Sequence, residues 1–204
     1  MYEFCHIPKT GGTALVHFFI DNYKDMFFYE EIEEVHTKKC GEYNNPITII
    51  RDPYERFKSS FYYWKYGSDV WEIKTPLDNV CINTFIDLYL EHEMNETIRY
   101  RVPFISKYIF MPQSYWLTKE DYKNTVVIKY QKDLSPLTEE LVKKLKLPMI
   151  KHPIRRLNST SKIDDEYNLN DKSKKFVDDL YREDFILYNL LNSNRDLFKL
   201  VIGK

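Results

Sequence analysis

The chain has few of the features that announce a function from composition. Cysteine is nearly absent: Cys5, Cys40 and Cys81 are odd in number, widely spaced and form no C-x-x-C pair. That excludes a disulfide framework and gives no zinc signature, so each thiol reads as a small buried hydrophobe. There is no charge imbalance, with 30 Lys+Arg against 31 Asp+Glu. Nothing therefore advertises a nucleic acid or a membrane surface, and any anion site must be local. No apolar run approaches the length of a membrane span, and no basic stretch followed by an apolar one opens the chain. Internal repeats and low-complexity tracts are missing too. Asn95-Glu-Thr and Asn158-Ser-Thr match the glycosylation sequon by chance in a chain without a secretory signal. Glycine is scarce at 5 residues, whereas tyrosine (17) and phenylalanine (13) are abundant. Aromatics in that number fill a core, and they also offer flat faces for stacking on a sugar or a base.

A length of 204 residues suits one domain, residues 1–204, with a core that needs no staples. Tyr2 to Ile7 is short, apolar and strand-like. Beyond a turn, Leu15, Phe18 and Phe19 fall at i, i+3 and i+4, which predicts an amphipathic helix to about Lys24. Met26 to Tyr29 reads as a short strand. Ile47-Thr48-Ile49-Ile50 is β-branched throughout and suits a strand buried on both faces of a parallel sheet. Asp52, Pro53 and Glu55 then write a helix start, with a cap, a first-position proline and an acid three residues after the cap. That helix runs to about Tyr66. Further helices are predicted over Cys81 to Glu93, over Leu137 to Leu147 before Pro148, and over Asp171 to Leu191 with a break near Arg182. Thr125 to Tyr130 is another buried strand, and Leu157 to Lys162 a polar loop. The alternation predicts an α/β fold, P-loop-like and three-layered, with a mostly parallel central sheet flanked by helices. The turns after Ile7 and Ile50 would share one rim, at the carboxyl ends of their strands.

Both turns carry anion chemistry. In Lys9-Thr10-Gly11-Gly12-Thr13 the glycines allow close backbone approach, and the following helix aims free N–H groups at the loop. Lys9 adds a mobile charge, and Thr10 and Thr13 add hydroxyls. An ordinary strand-to-helix turn has the same composition. The nucleotide-triphosphatase loop, G-x-x-x-x-G-K-[ST], places its lysine after the last glycine, so the order here is wrong for a kinase or GTPase. In Arg51-Asp52-Pro53-x-x-Arg56-x-x-Ser59 the arginine at the strand end is placed to grip a phosphate with its fork. Arg56 reads instead as pairing with Asp52 or Glu55. On the helix, Tyr54, Phe57, Phe61 and Trp64 share the face that would pack on the sheet. Arg56, Ser59 and Tyr63 share the other.

His6-Ile-Pro-Lys-Thr-Gly-Gly-Thr13 and Ile50-Arg-Asp-Pro-Tyr-Glu-Arg-Phe-Lys-Ser59-Ser-Phe-Tyr together resemble the two signatures by which sulfotransferases bind 3′-phosphoadenosine 5′-phosphosulfate (PAPS). The likeness is nearest to the carbohydrate branch, the heparan and chondroitin sulfotransferases. Weaker echoes extend it along the chain: Pro112-Gln113-Ser-Tyr-Trp-Leu117, Val127-Ile-Lys-Tyr-Gln-Lys-Asp-Leu134, Leu157-Asn-Ser-Thr160 and Tyr181-Arg-Glu-Asp-Phe-Ile-Leu-Tyr188.

The resemblance implies that Lys9, Thr10, Gly11, Gly12, Thr13 and Ala14 hold the 5′-phosphosulfate, with Lys9 on the transferring group. Arg51 and Ser59 would bind the 3′-phosphate, and the loop containing Ser159, Thr160 and Lys162 would close over the nucleotide. His36 would be the general base that accepts the acceptor's proton, with Glu33 and Glu34 in reserve, while His6 braces the loop. No metal requirement is expected, since no acidic cluster with ligand spacing accompanies the loop. The resemblance favours a glycan hydroxyl as acceptor, with a tyrosyl or small-molecule alcohol as the alternatives, and Tyr62, Tyr63, Trp64, Tyr66, Trp71, Tyr115 and Trp116 are candidates for a stacking cleft. Two other readings use the same residues: an atypical small-molecule kinase and a non-catalytic nucleotide-binding module. The expected setting is soluble and cytoplasmic; the other placement is the Golgi lumen, after removal of an anchor such as relatives in that branch carry.

Overall fold

The computed structural model describes residues 1–28, 36–66, 80–92, 108–155 and 168–203, with backbone only for 64, 66 and 88–92. In chain order the elements are β1 (Tyr2–Cys5), α1 (Gly12–Tyr23), β2 (Phe27–Phe28), β3 (Pro46–Ile50), α2 (Pro53–Tyr66) and α3 (Ile82–His92). They continue with β4 (Val126–Lys129), α4 (Ser135–Lys144), α5 (Asp171–Leu180), α6 (Arg182–Ser193) and β5 (Leu200–Ile202). Two compact units result. One comprises Met1–Asp52, Pro112–Leu157 and Glu183–Lys204; the other comprises Pro53–Met111 and Asn158–Arg182.

The first unit holds a five-stranded, all-parallel sheet in the order β2-β1-β3-β4-β5. This is the α/β class that the alternation predicts. Register places Phe4, Ile47, Ile49, Val126, Ile128 and Ile202 on one face, where they pack with Leu15, Phe18 and Phe19 of α1 and Leu137 and Leu141 of α4. Cys5, Thr48, Ile50, Val127 and Val201 point to the other face and are buried as well. Burial on both faces explains why these strands read as unbroken apolar runs rather than alternating ones. On that second face burial, then Cys5, pushes the Cys40 thiol well above its usual range. Both groups thus behave as small hydrophobes, as the sequence predicts. Cys81 does not: it is half-buried at the start of α3, its sulfur 3.2 Å from the Thr84 hydroxyl.

The predicted boundaries shift where local chemistry intervenes. α4 begins two residues before Leu137, with proline near its first turn, and stops at Lys144. Lys146 then adopts φ 52°, a left-handed turn that ends the helix before Pro148 acts. The long helical stretch from Asp171 breaks at Tyr181, next to the predicted position, and α6 runs on to Ser193.

In the second unit Phe57 lies amid Phe85, Phe110, Phe176 and Tyr181, with ring centroids 6.5, 5.8, 6.1 and 6.0 Å away. Arg56 corrects the expected ion pair. Its guanidinium is fully buried, donates to the Ile109 carbonyl at 3.4 Å and lies over the Tyr181 ring. Glu55 instead bonds Lys58, one turn on, at 3.2 Å. Glu55 and Arg56, as successive helical residues, point apart, whereas Glu55 and Lys58 are neighbours three apart. Among the described residues no helix is long and apolar enough to cross a membrane.

Candidate functional site

The strand order has one reversal, between β1 and β3. The chain leaves β1 toward β2 on one side and leaves β3 toward β4 on the other. Segments that diverge at the carboxyl ends of neighbouring strands open a crevice, and ligands of open α/β sheets bind there. The two motif turns follow β1 and β3, so both flank it.

The first turn is wound tightly. Lys9 has φ 65° and Gly11 φ 91°, both left-handed, and Gly11 is the cap from which α1 departs. For lysine this conformation is uncommon and costs on the order of 1 kcal/mol or more. It persists because the loop is held from several sides. Thr10 is fully buried, and its hydroxyl donates to the Ile7 carbonyl at 2.8 Å. That hydroxyl braces the turn instead of facing a ligand, a change from the expected donor role. Thr13 is exposed on the first turn of α1, and Ala14 is buried behind it.

Neighbouring rings enforce both glycines. A β-carbon on Gly11 would stand 2.9 Å from the Tyr130 ring, and one on Gly12 would stand 2.3 Å from Cδ2 of His6. His6 thus braces the loop, as predicted, by filling the space a side chain at position 12 would need. Its imidazole is pushed down to about 3, by burial first and then by the charges of His36 and Lys9. It is a neutral ring at physiological pH.

His36 lies beside it, with ring centroids 4.8 Å apart. Its Nδ1 is 3.3 Å from the His6 carbonyl oxygen. A carbonyl only accepts, so Nδ1 carries the hydrogen and Nε2 is the basic nitrogen. The His36 carbonyl in turn accepts from the indole N–H of Trp116 at 3.0 Å.

The second turn meets the first. Arg51 donates from Nη1 to the Lys9 carbonyl at 3.4 Å, and its guanidinium lies 4.6 Å above the Tyr130 ring. Tyr130 therefore touches both turns, with its ring between Gly11 and Arg51. The backbone of Arg51 is clamped by one side chain. Gln113 accepts from the Arg51 N–H at 2.8 Å and donates to the Arg51 carbonyl at 2.9 Å. Gln113 is itself held by Asp184, whose carboxylate accepts from the N–H groups of Gln113 and Ser114 at 2.7 and 2.8 Å. Gln113 and Asp184 are both fully buried.

Of the residues singled out in the sequence, the fold brings Lys9, Gly11, Gly12, Arg51 and His36 together around His6 and Tyr130. Ser59 is half-buried on α2, in the second unit. Ser159, Thr160 and Lys162, and the reserve bases Glu33 and Glu34, lie outside the described residues. Of the candidate stacking aromatics, Trp116 is fully buried and offers no open face, while Tyr115 is half-buried with Lys39 over its ring at 4.7 Å. Gln113, Tyr130 and Asp184 were not assigned roles from sequence, although each falls in one of the weaker echoes.

The arrangement suits an anion with two charged groups. A glycine turn at a helix N-terminus, with a lysine on it, sits beside an arginine whose backbone is fixed. The rings of Tyr130 and His6 occupy the space a side chain at Gly11 or Gly12 would need, so the turn is bare backbone at both positions. Compared with protein-family models, with curated proteins and with solved structures, the chain matches none.

Proposed function

We propose that the chain is a sulfotransferase that moves a sulfuryl group from PAPS to an acceptor hydroxyl, on a carbohydrate by resemblance. One observation carries the reading: Arg51 reaches the carbonyl of Lys9 at 3.4 Å, which joins the two anion turns in one crevice. Two anion sites beside each other distinguish a 3′,5′-bisphosphorylated nucleotide from a nucleotide with a single phosphate chain.

When bound, PAPS would supply an activated sulfuryl group on a phosphate leaving group. The chain's own residues do the rest. The N–H groups at the start of α1 and the Lys9 ammonium orient the 5′ end and meet the charge that grows there. A preorganised donor of that kind contributes ~3 kcal/mol in typical sites. Arg51 holds the 3′-phosphate, the role the resemblance implies for it. Nε2 of His36 accepts the acceptor's proton, a step commonly worth roughly 10²–10⁴-fold in rate. His6, neutral and wedged against Gly12, keeps that base and the loop in register.

The test is calorimetric titration with 3′-phosphoadenosine 5′-phosphate, AMP and ATP in metal-free buffer. Selective binding of the bisphosphate, lost in Arg51→Ala, supports the reading. Equal or absent binding overturns it, and a preference for ATP in a second titration with Mg²⁺ added would favour the kinase reading. Selective binding without transfer to any hydroxyl acceptor would leave the non-catalytic module.

A further inference from the structure

The hydrogen bonds behind Arg51 form a single relay. The Asp184 carboxylate grips the backbone N–H groups of Gln113 and Ser114 at 2.7 and 2.8 Å, and its Oδ2 also lies 3.4 Å from the Gln113 side-chain nitrogen. Gln113 spans both backbone polar groups of Arg51 at 2.8 and 2.9 Å. Arg51 then reaches the Lys9 carbonyl. Gln113 and Asp184 have no exposed surface, so neither touches a ligand.

We propose that Gln113 is a positioning residue for nucleotide selectivity: clamped by Asp184, it fixes the Arg51 backbone so that the guanidinium meets the 3′-phosphate. This rests on the sulfotransferase reading and goes beyond it, because it names what sets the preference for a bisphosphorylated nucleotide. The physical case is one of geometry. β3 ends at Ile50, so Arg51 is the first residue beyond the strand. Gln113 replaces the lost ladder partner with an amide that donates and accepts at once, as a neighbouring strand would. A primary amide is the side-chain group that offers one donor and one acceptor side by side at that spacing. The backbone of the arginine is thereby fixed while its guanidinium lies over Tyr130, instead of sampling the conformations open to a loop residue. The carboxylate of Asp184 fixes the amide's own backbone, and hydrogen bonds to a charged group are the stronger kind.

The experiment compares wild-type protein, Gln113→Met and Asp184→Asn by calorimetry with 3′-phosphoadenosine 5′-phosphate and with AMP. Methionine keeps the length of glutamine but neither hydrogen bond. The expected result is a loss of about tenfold in bisphosphate affinity with AMP affinity held within about twofold, the size of one strong polar contact. Phosphorus NMR of the bound bisphosphate gives a second readout. In Gln113→Met the 3′-phosphate resonance moves toward its free position, while the 5′ resonance stays. A merely structural role would weaken both nucleotides together and move both resonances. If Gln113→Met does not melt cooperatively, Asp184→Asn decides, with a smaller fall in the same selectivity ratio. Wild-type protein that shows no preference for the bisphosphate overturns the sulfotransferase reading itself. A selective wild type whose variants keep the full ratio overturns the role of Gln113 alone.

Discussion

Gly12 shows how one missing side chain shapes this site. As the first residue of α1 it is a position where alanine is the better helix former, by up to ~1 kcal/mol. Helix propensity alone therefore predicts that Gly12→Ala stabilises the protein. The structure argues the reverse, since a β-carbon there would stand 2.3 Å from the His6 ring. A ring is stiff and this one is packed against His36, so it must be displaced. Gly12→Ala is expected to lower the melting temperature and to weaken bisphosphate binding by about tenfold or more. Thermal melts and calorimetry on the same sample check both, and a stabilised variant with unchanged binding would refute the account. Gly11 is constrained differently, by φ 91° and by the Tyr130 ring. Residue types at positions 9 to 13 announced a tight turn into a helix. That Thr10 turns its hydroxyl inward was hidden, because sequence names a donor but not its direction.

At the scale of elements, the short segment from Gln113 to Leu117 has more to do than its length suggests. Gln113 holds Arg51, the Trp116 indole holds the His36 carbonyl at 3.0 Å, and the Trp116 carbonyl accepts from Cys40 N–H at 2.8 Å. One 3₁₀ turn thereby fixes both the arginine and the histidine. If His36 is the base, His36→Ala should lose roughly 10²–10⁴-fold in kcat while bisphosphate binding is kept. Trp116→Phe removes only the indole N–H and part of the ring, and should lower kcat in the same direction by less. Steady-state kinetics alongside calorimetry separates the two effects. An unchanged kcat in His36→Ala would place the base elsewhere. The segment's motif was visible as an echo of the sulfotransferase pattern, yet its task was not. Its partners Arg51, His36 and Asp184 are 62, 80 and 71 positions away.

For the whole molecule, His6 couples folding to pH. Its folded value of about 3 lies below the ordinary imidazole value near 6.5, because burial and the charges of His36 and Lys9 oppose protonation. Between those values the unfolded chain binds more protons at this position than the folded one, so stability rises with pH. The contribution is present in full above about 6.5 and is lost as pH falls toward 3. Urea melts across that window should therefore give a shallower slope for His6→Gln than for the wild-type protein. An identical slope in both would show that His6 takes up its proton without opening the loop.

Four of the five strands, the helix starts and the two turns after β1 and β3 were legible because each rests on local chemistry; β5, at Leu200–Ile202, was not read from the sequence. β-branched runs bury in parallel sheets, Asp-Pro-x-Glu starts a helix, and paired glycines wind a turn. The α/β class follows from their alternation, and so does the shared rim. What only the tertiary structure decided is which groups stand behind the site. The strand order β2-β1-β3-β4-β5 puts the turn after β1 beside the turn after β3. The same fold buries Arg56 against Ile109 and Tyr181 while leaving Arg51 half-exposed over Tyr130, although a linear reading gives both arginines the same neighbours. Gln113 and Asp184 owe their places to hydrogen bonds that must be satisfied once both are buried. That requirement acts through space, and no spacing along the chain records it.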